Sequence, residues 1–268
     1  MPRTKLFSTI ATVLIIVGLV GALLAYTTYG AGEDVQQTET FEHQSITEVV
    51  IESDSASINV FPTNDELITV TFSAKDTRSR QYDFNVQENE ETLNIQLKEK
   101  KKFQFINFGF NFTSPEITVY LPEKQYERLQ VDNVNGKTTV ENMSTNELNA
   151  TTVNGRIDIN NMTTQNTIVS SQNGKINLNA VNGEIVGNVV NGSITLETDD
   201  LNQFIDLESV NGKLSIETNE EPTNATIEVD VVNGKIDIFG EKNRNTTFGE
   251  GDYLIQLKTV NGRVSVSK

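Results

Sequence analysis

Val153-Asn154-Gly155-Arg156-Ile157-Asp158-Ile159 returns 19 residues later as Gln172-Asn173-Gly174-Lys175-Ile176-Asn177-Leu178, and this recurrence decides the fold. Asn-Gly occurs eight times in the chain, with Val before it in seven cases. Asn and Gly tolerate positive φ, so the dipeptide is expected to turn the chain at low steric cost. Two and four residues beyond each Gly stands a mostly apolar pair, such as Ile194/Leu196, Leu214/Ile216, Ile236/Ile238 and Val264/Val266. That period of two marks a strand with one buried face. Thr138/Val140 and Ile185/Gly187 are the weaker copies.

The fixed corners are Asn135-Gly136, Asn154-Gly155, Asn173-Gly174, Asn191-Gly192, Asn211-Gly212, Asn233-Gly234 and Asn261-Gly262, spaced 19, 19, 18, 20, 22 and 28 residues apart. The eighth copy, at Asn182, falls halfway between Asn173 and Asn191 and reads as a turn on the opposite side of one coil. Elsewhere that side carries Asn142-Met143-Ser144, Asn161-Met162-Thr163, Thr198-Asp199-Asp200 or Glu220-Glu221-Pro222. Near-constant coil length is demanded by parallel stacking, so the spacing predicts an all-β solenoid of about 18–22-residue coils, each laid on the one before. The competing architecture is an antiparallel meander in which every Asn-Gly is a hairpin. Ser53-Asp54-Ser55-Ala56-Ser57-Ile58-Asn59-Val60 mimics the unit in worn form. Residues 45–130 therefore read as a divergent N-terminal β part, and 131–268 as the repeat body.

Upstream, Arg3 and Lys5 precede an uncharged apolar run. Residues 6–26 are expected to form a transmembrane anchor, with 1–5 as a cytoplasmic tip and the bulk of the chain outside a cell membrane as a single-pass protein. A cleaved signal peptide is the rival reading, although its apolar region is normally shorter. Residues 27–44 read as a polar stalk ending near His43, the one histidine.

The net charge is −16, and beyond residue 32 there are 37 acids against 19 bases. Such a surface repels nucleic acid, which is set aside as a partner. Apolar residues make up 36% and there is no Trp, which favours a thin core over a thick one. With no Cys and a single His, no catalytic residue, cofactor or metal ligand is singled out.

An apolar N-terminus, the worn Ser-Asp-Ser-Ala-x-Ile-x-Val unit, Val119-Tyr120-Leu121-Pro122 and the repeated Val-Asn-Gly-x-Ile-x-Ile together resemble the DUF4097 family of adhesin-like bacterial surface proteins. The membrane-anchored LiaG-like proteins of Gram-positive envelope-stress operons are similar. The resemblance implies a single-stranded right-handed β-helix at a cell surface, and carries over no catalytic residue.

Two features point to binding. The residue after Gly is basic at Lys137, Arg156, Lys175, Lys213, Lys235 and Arg263, and stacking would align these into a ridge fit for an anionic cell-wall polymer. The bland alternative is a solvated turn flank that guards the sheet edge. Phe103, Phe105, Phe108, Phe110 and Phe112 follow a run of lysines, a pattern for a membrane or partner patch, or for padding one solenoid end. The expected function is non-enzymatic: adhesion, scaffolding or envelope-stress interaction, or else an accessory module reading wall polymer for a membrane sensor. A carbohydrate-active enzyme would need an acidic pair in a deep groove.

Overall fold

A computed structural model describes residues 11–21, 33–42, 44–76, 80–101 and 114–268. Thirteen strands follow among them: β1 (Glu33–Glu42), β2 (Glu48–Ser55), β3 (Ser57–Thr63), β4 (Leu67–Asp76), β5 (Arg80–Asn89), β6 (Thr92–Lys101), β7 (Glu116–Pro122), β8 (Gln125–Glu141), β9 (Ser144–Thr198), β10 (Ile205–Thr218), β11 (Ala225–Ile238), β12 (Asn245–Phe248) and β13 (Tyr253–Ser267). The long ones run straight through the Asn-Gly units, and β9 alone covers 55 residues.

Coils lie parallel and in register. Asn135 faces Asn154, Asn191 faces Asn211, Asn211 faces Asn261, and Asn261 faces Asn233. A meander of hairpins is therefore not what forms. Register is fixed by the apolar pairs: Ile157/Ile159, Ile176/Leu178, Ile194/Leu196, Leu214/Ile216 and Val264/Val266 are all buried. A slip of one residue would turn each pair out to water. At the weak copy Gly187 the missing side chain is replaced from the next coil, since a Cβ there would lie 2.8 Å from Leu207 Cδ2.

Three expectations are corrected. The coils do not stack in chain order, because β13 inserts between β10 and β11. The excursion after β11 allows this: β12 pairs antiparallel with Ala225–Glu228, Arg244 donates to the Val231 carbonyl at 2.9 Å, and Phe239 meets Phe248 edge-on at 5.9 Å. These contacts blunt an outer edge that would otherwise invite pairing by another chain.

The second correction concerns the corners. None of the Asn residues in the Asn-Gly units has positive φ; left-handed residues include instead Asn142, Asn161 and Ala180, at φ 57°, 51° and 50°, on the opposite side of the coil, with Glu90 and Phe239 elsewhere. Glycine stands after Asn above all for want of room, with positive φ as well at Gly136, Gly183 and Gly192. A Cβ on Gly155 would lie 1.9 Å from the Gly136 carbonyl oxygen, and one on Gly262 1.6 Å from that of Gly212. Ala180 is the residue out of place, since left-handed geometry is costly for alanine and easier for asparagine. Asn161 already donates to Asn142 Oδ1 at 2.7 Å. Ala180→Asn is expected to relieve strain and extend that pair, raising stability by about 1 kcal/mol in denaturant unfolding; an unchanged midpoint would count against it.

Third, of the stretch 6–26 the structure describes a helix over 11–21, and the remainder lies outside the described residues. Among the described residues no helix is long and apolar enough to cross a membrane. The transmembrane helix expected over 6–26, and the single-pass membrane location that rested on it, are overturned. The stretch read as stalk contains β1, which pairs antiparallel with β4 and packs Val35 and Phe41 against the core.

At the N-terminal end β2 and β3 stack on β8, with Ala56 at the glycine position, and β6 and β7 stack parallel on β2 and β3. Antiparallel β5, β4 and β1 then close the two walls. Beneath them Tyr126 is buried and donates to the Pro122 carbonyl at 3.1 Å, and burial holds its phenol above the ordinary value of 10.0.

Candidate functional site

The Asn-Gly corner forms one edge of the molecule, along which like residues stack in parallel columns. Along it the Asn side chains make a one-way ladder. Asn135 donates to the Asp54 carbonyl at 3.1 Å, and Asn154 to Asn135 Oδ1 at 3.1 Å. Asn173, Asn191, Asn211, Asn261 and Asn233 continue it at 3.0, 2.8, 3.0, 2.9 and 3.2 Å. Each interior amide thus gives one hydrogen bond and takes one, the most a column of identical side chains allows. Asn182 stands outside the ladder, on the far side of its coil, where its main-chain carbonyl accepts from Thr164.

Next to the ladder runs the basic column. Register places Lys213, Arg263 and Lys235 on three consecutive coils, because β13 has slipped between β10 and β11. Ser193 interrupts the column before Lys213. Further up, Lys137 is drawn sideways into an ion pair with Asp158 at 2.9 Å, and Asp158 also accepts from Asn177 at 2.6 Å. Arg156 and Lys175 are exposed between these groups. The six bases are therefore two sets, and the C-terminal trio is the uniform one.

On the other flank of the ladder lies a column that sequence reasoning missed. Val190, Val210, Val260 and Val232 are all exposed, Val232 by 67%, and they occupy four consecutive coils. The signal was the Val before Asn-Gly, which looked like part of a turn. In a continuous strand that position alternates outward, away from the buried Ser209, Thr259 and Val231 that precede it. Beyond the valines the wall is charged. Lys258 bonds Glu208 at 2.9 Å and approaches Asp206 at 3.7 Å; the Glu208 hydrogen bond is the main reason its ammonium pKa is raised.

Beside this edge lies an open groove of about 450 Å³ lined by Lys137, Arg156, Asp158, Asn160, Asn177 and Glu197, among others. A second, of about 340 Å³, includes Asp54, Asp132, Val134 and Val153. Its carboxylates are engaged, Asp132 with Gln130 and Thr151, and Asp54 with the Glu99 amide. Among the described residues no group of three His, Cys, Asp or Glu is placed to hold a metal ion. Phe103, Phe105, Phe108, Phe110 and Phe112, like His43, lie outside the described residues.

The geometry of stacked coils agrees with the comparison by family. The model of the Toastrack family DUF4097 matches residues 46–166 and again 127–267. This chain belongs to the DUF4097 family. The match takes in the worn corner at Ala56 as well as the seven Asn-Gly corners, so the Toastrack body is continuous from β2 to β13. It does not single out a LiaG-like subset. No curated protein matches significantly.

Solved structures with similarity include a protein named for cell adhesion from Clostridium sporogenes, at 11% identity and a TM-score of 0.40, covering 88% of this chain and 99% of that one. One named as an adhesin from Bacteroides fragilis shows 13% identity, a TM-score of 0.42 and coverages of 87% and 97%. Another, named for lipid binding, from Parabacteroides distasonis shows 13% identity, a TM-score of 0.35 and coverages of 88% and 98%. Likenesses this low transfer no residue roles to the Toastrack edge described above.

Proposed function

We propose that this protein is a non-enzymatic, adhesion-type binding scaffold, and that its working surface is the C-terminal half of the Asn-Gly edge. The observation that carries the reading is the alignment of Lys213, Arg263 and Lys235 on consecutive coils beside exposed Val210, Val260 and Val232. Cations repeat there at the strand spacing, about 4.8 Å, beside a hydrogen-bonded ladder that keeps the coils in register. A rigid line of like charge suits an extended anionic polymer such as a teichoic acid, whose successive charges meet a matching row. The apolar column would cover the less polar face of such a chain. On a molecule this acidic overall, a local basic row also sets where and in what orientation an anion approaches.

The test is Lys213→Glu, Arg263→Glu and Lys235→Glu together, with binding to immobilised anionic wall polymer read at two salt concentrations. All three side chains are exposed, so the circular dichroism spectrum and melting should hold while binding falls about tenfold or more and loses its salt dependence. Unchanged binding by a folded triple variant would overturn the reading.

A further inference from the structure

We propose that Asn182 is the site at which the folded chain spontaneously deamidates. At Asn-Gly the glycine nitrogen can attack the preceding side-chain Cγ, since no Cβ hinders it. A new C–N bond closes a five-membered succinimide, and the side-chain nitrogen leaves as ammonia with the proton of the glycine amide. Water then opens either ring carbonyl, giving aspartate or isoaspartate. No oxidant or cofactor enters, and asparagine is among the thermolabile residues for this reason.

Eight Asn-Gly pairs offer the same local chemistry, and the fold separates them. Attack requires the carboxamide to swing back over its own backbone. In the ladder Asn135, Asn154, Asn173, Asn191, Asn211 and Asn261 are each held by a donated and an accepted hydrogen bond. Asn233, at the end, only donates. Asn182 is exposed, and no hydrogen bond holds its carboxamide among the described residues. The coil beneath it presents Thr164, whose hydroxyl donates to the Asn182 main-chain carbonyl at 2.7 Å, while the Asn182 side chain is exposed. Gly183 has φ 101° within β9, a positive value shared in kind by Gly136 and Gly192, so it is hydrogen bonding and not backbone geometry that sets Asn182 apart. The product is a new carboxylate two residues from Glu184, with an extra backbone methylene in the isoaspartyl form. The inference depends on the fold alone and stands or falls apart from the polymer-binding reading.

Folded protein held in warm, mildly alkaline buffer and mapped by tandem mass spectrometry provides the test, with fragment ions that separate Asn182 from Asn191. Asn182 should convert first, about tenfold or more ahead of any interior ladder residue, which must break two hydrogen bonds beforehand. Asn233 should come second. In denaturant all eight should react at similar rates, and Asn182→Gln should abolish early conversion in its peptide while leaving ladder rates unchanged. Interior ladder residues converting as fast as Asn182 in the folded protein would overturn the proposal, as would an Asn182 that stays intact while the denatured chain reacts.

Discussion

Gly212→Ala should destabilise the fold by about 4 kcal/mol or more, a fall in Tm of roughly 8–16 °C. The added Cβ would stand 1.7 Å from the Gly192 carbonyl oxygen and 2.8 Å from its carbon. Neither atom is a side-chain tip that can swing aside; both belong to the part of β9, Ile185–Thr198, that pairs with the whole of β10, and β13 holds the other side. Relief therefore requires prising coils apart, which stretches ladder hydrogen bonds on several residues at once. Gly240→Ala is the matched control, because nothing lies within 4 Å of its Cβ position. It carries only the strain of φ 87°, about 1 kcal/mol. If thermal melting gave both variants the same small shift, close approach would not be what holds glycine at the corner.

Phe72→Ala should cost about 3–5 kcal/mol, but at one end of the molecule. Phe72 is buried on β4, stacks on Phe84 of β5 at 4.7 Å and meets Tyr82 edge-on at 5.9 Å. Those rings join the two walls where the coils stop. In a stack whose layers touch only their neighbours, damage to a cap frays that cap first. Hydrogen exchange should accelerate in β1, β4 and β5 while β9 and β10 keep their protection. Uniform acceleration along the chain would show that the cap and repeats unfold as one unit. The contrast between the two variants, one splitting the stack and one opening its end, tests the quasi-linear architecture directly.

Much of this fold could be read from spacing. Intervals of 19, 19, 18 and 20 residues fit parallel coils, and Asn182 at the half-interval belongs on the other side. The interval of 28 before Asn261 announced an excursion, but not its destination: β10 and β11 carry nearly identical Val-Asn-Gly-Lys corners, so either could accept β13 on local chemistry. The role of glycine was only half read, because positive φ, found at Gly136, Gly183 and Gly192, and close approach select the same residue, and only a neighbouring carbonyl reveals the second. The basic column was legible, but its division was not, since the pull of Asp158 on Lys137 acts between coils. β1 was hidden because its burial comes from β4, more than 20 residues downstream.

The place of β13 has a consequence for the order in which the molecule can be made. During synthesis β11 emerges before the strand it must lie against, at a time when the open face of β10 offers an in-register substitute with the same Asn, Gly and Lys. The native arrangement is reached only when β13 arrives and takes that face, so the growing chain must either delay β11 or displace it. Completion proceeds from inside the stack, and the slowest moment in assembly should come at its final strand.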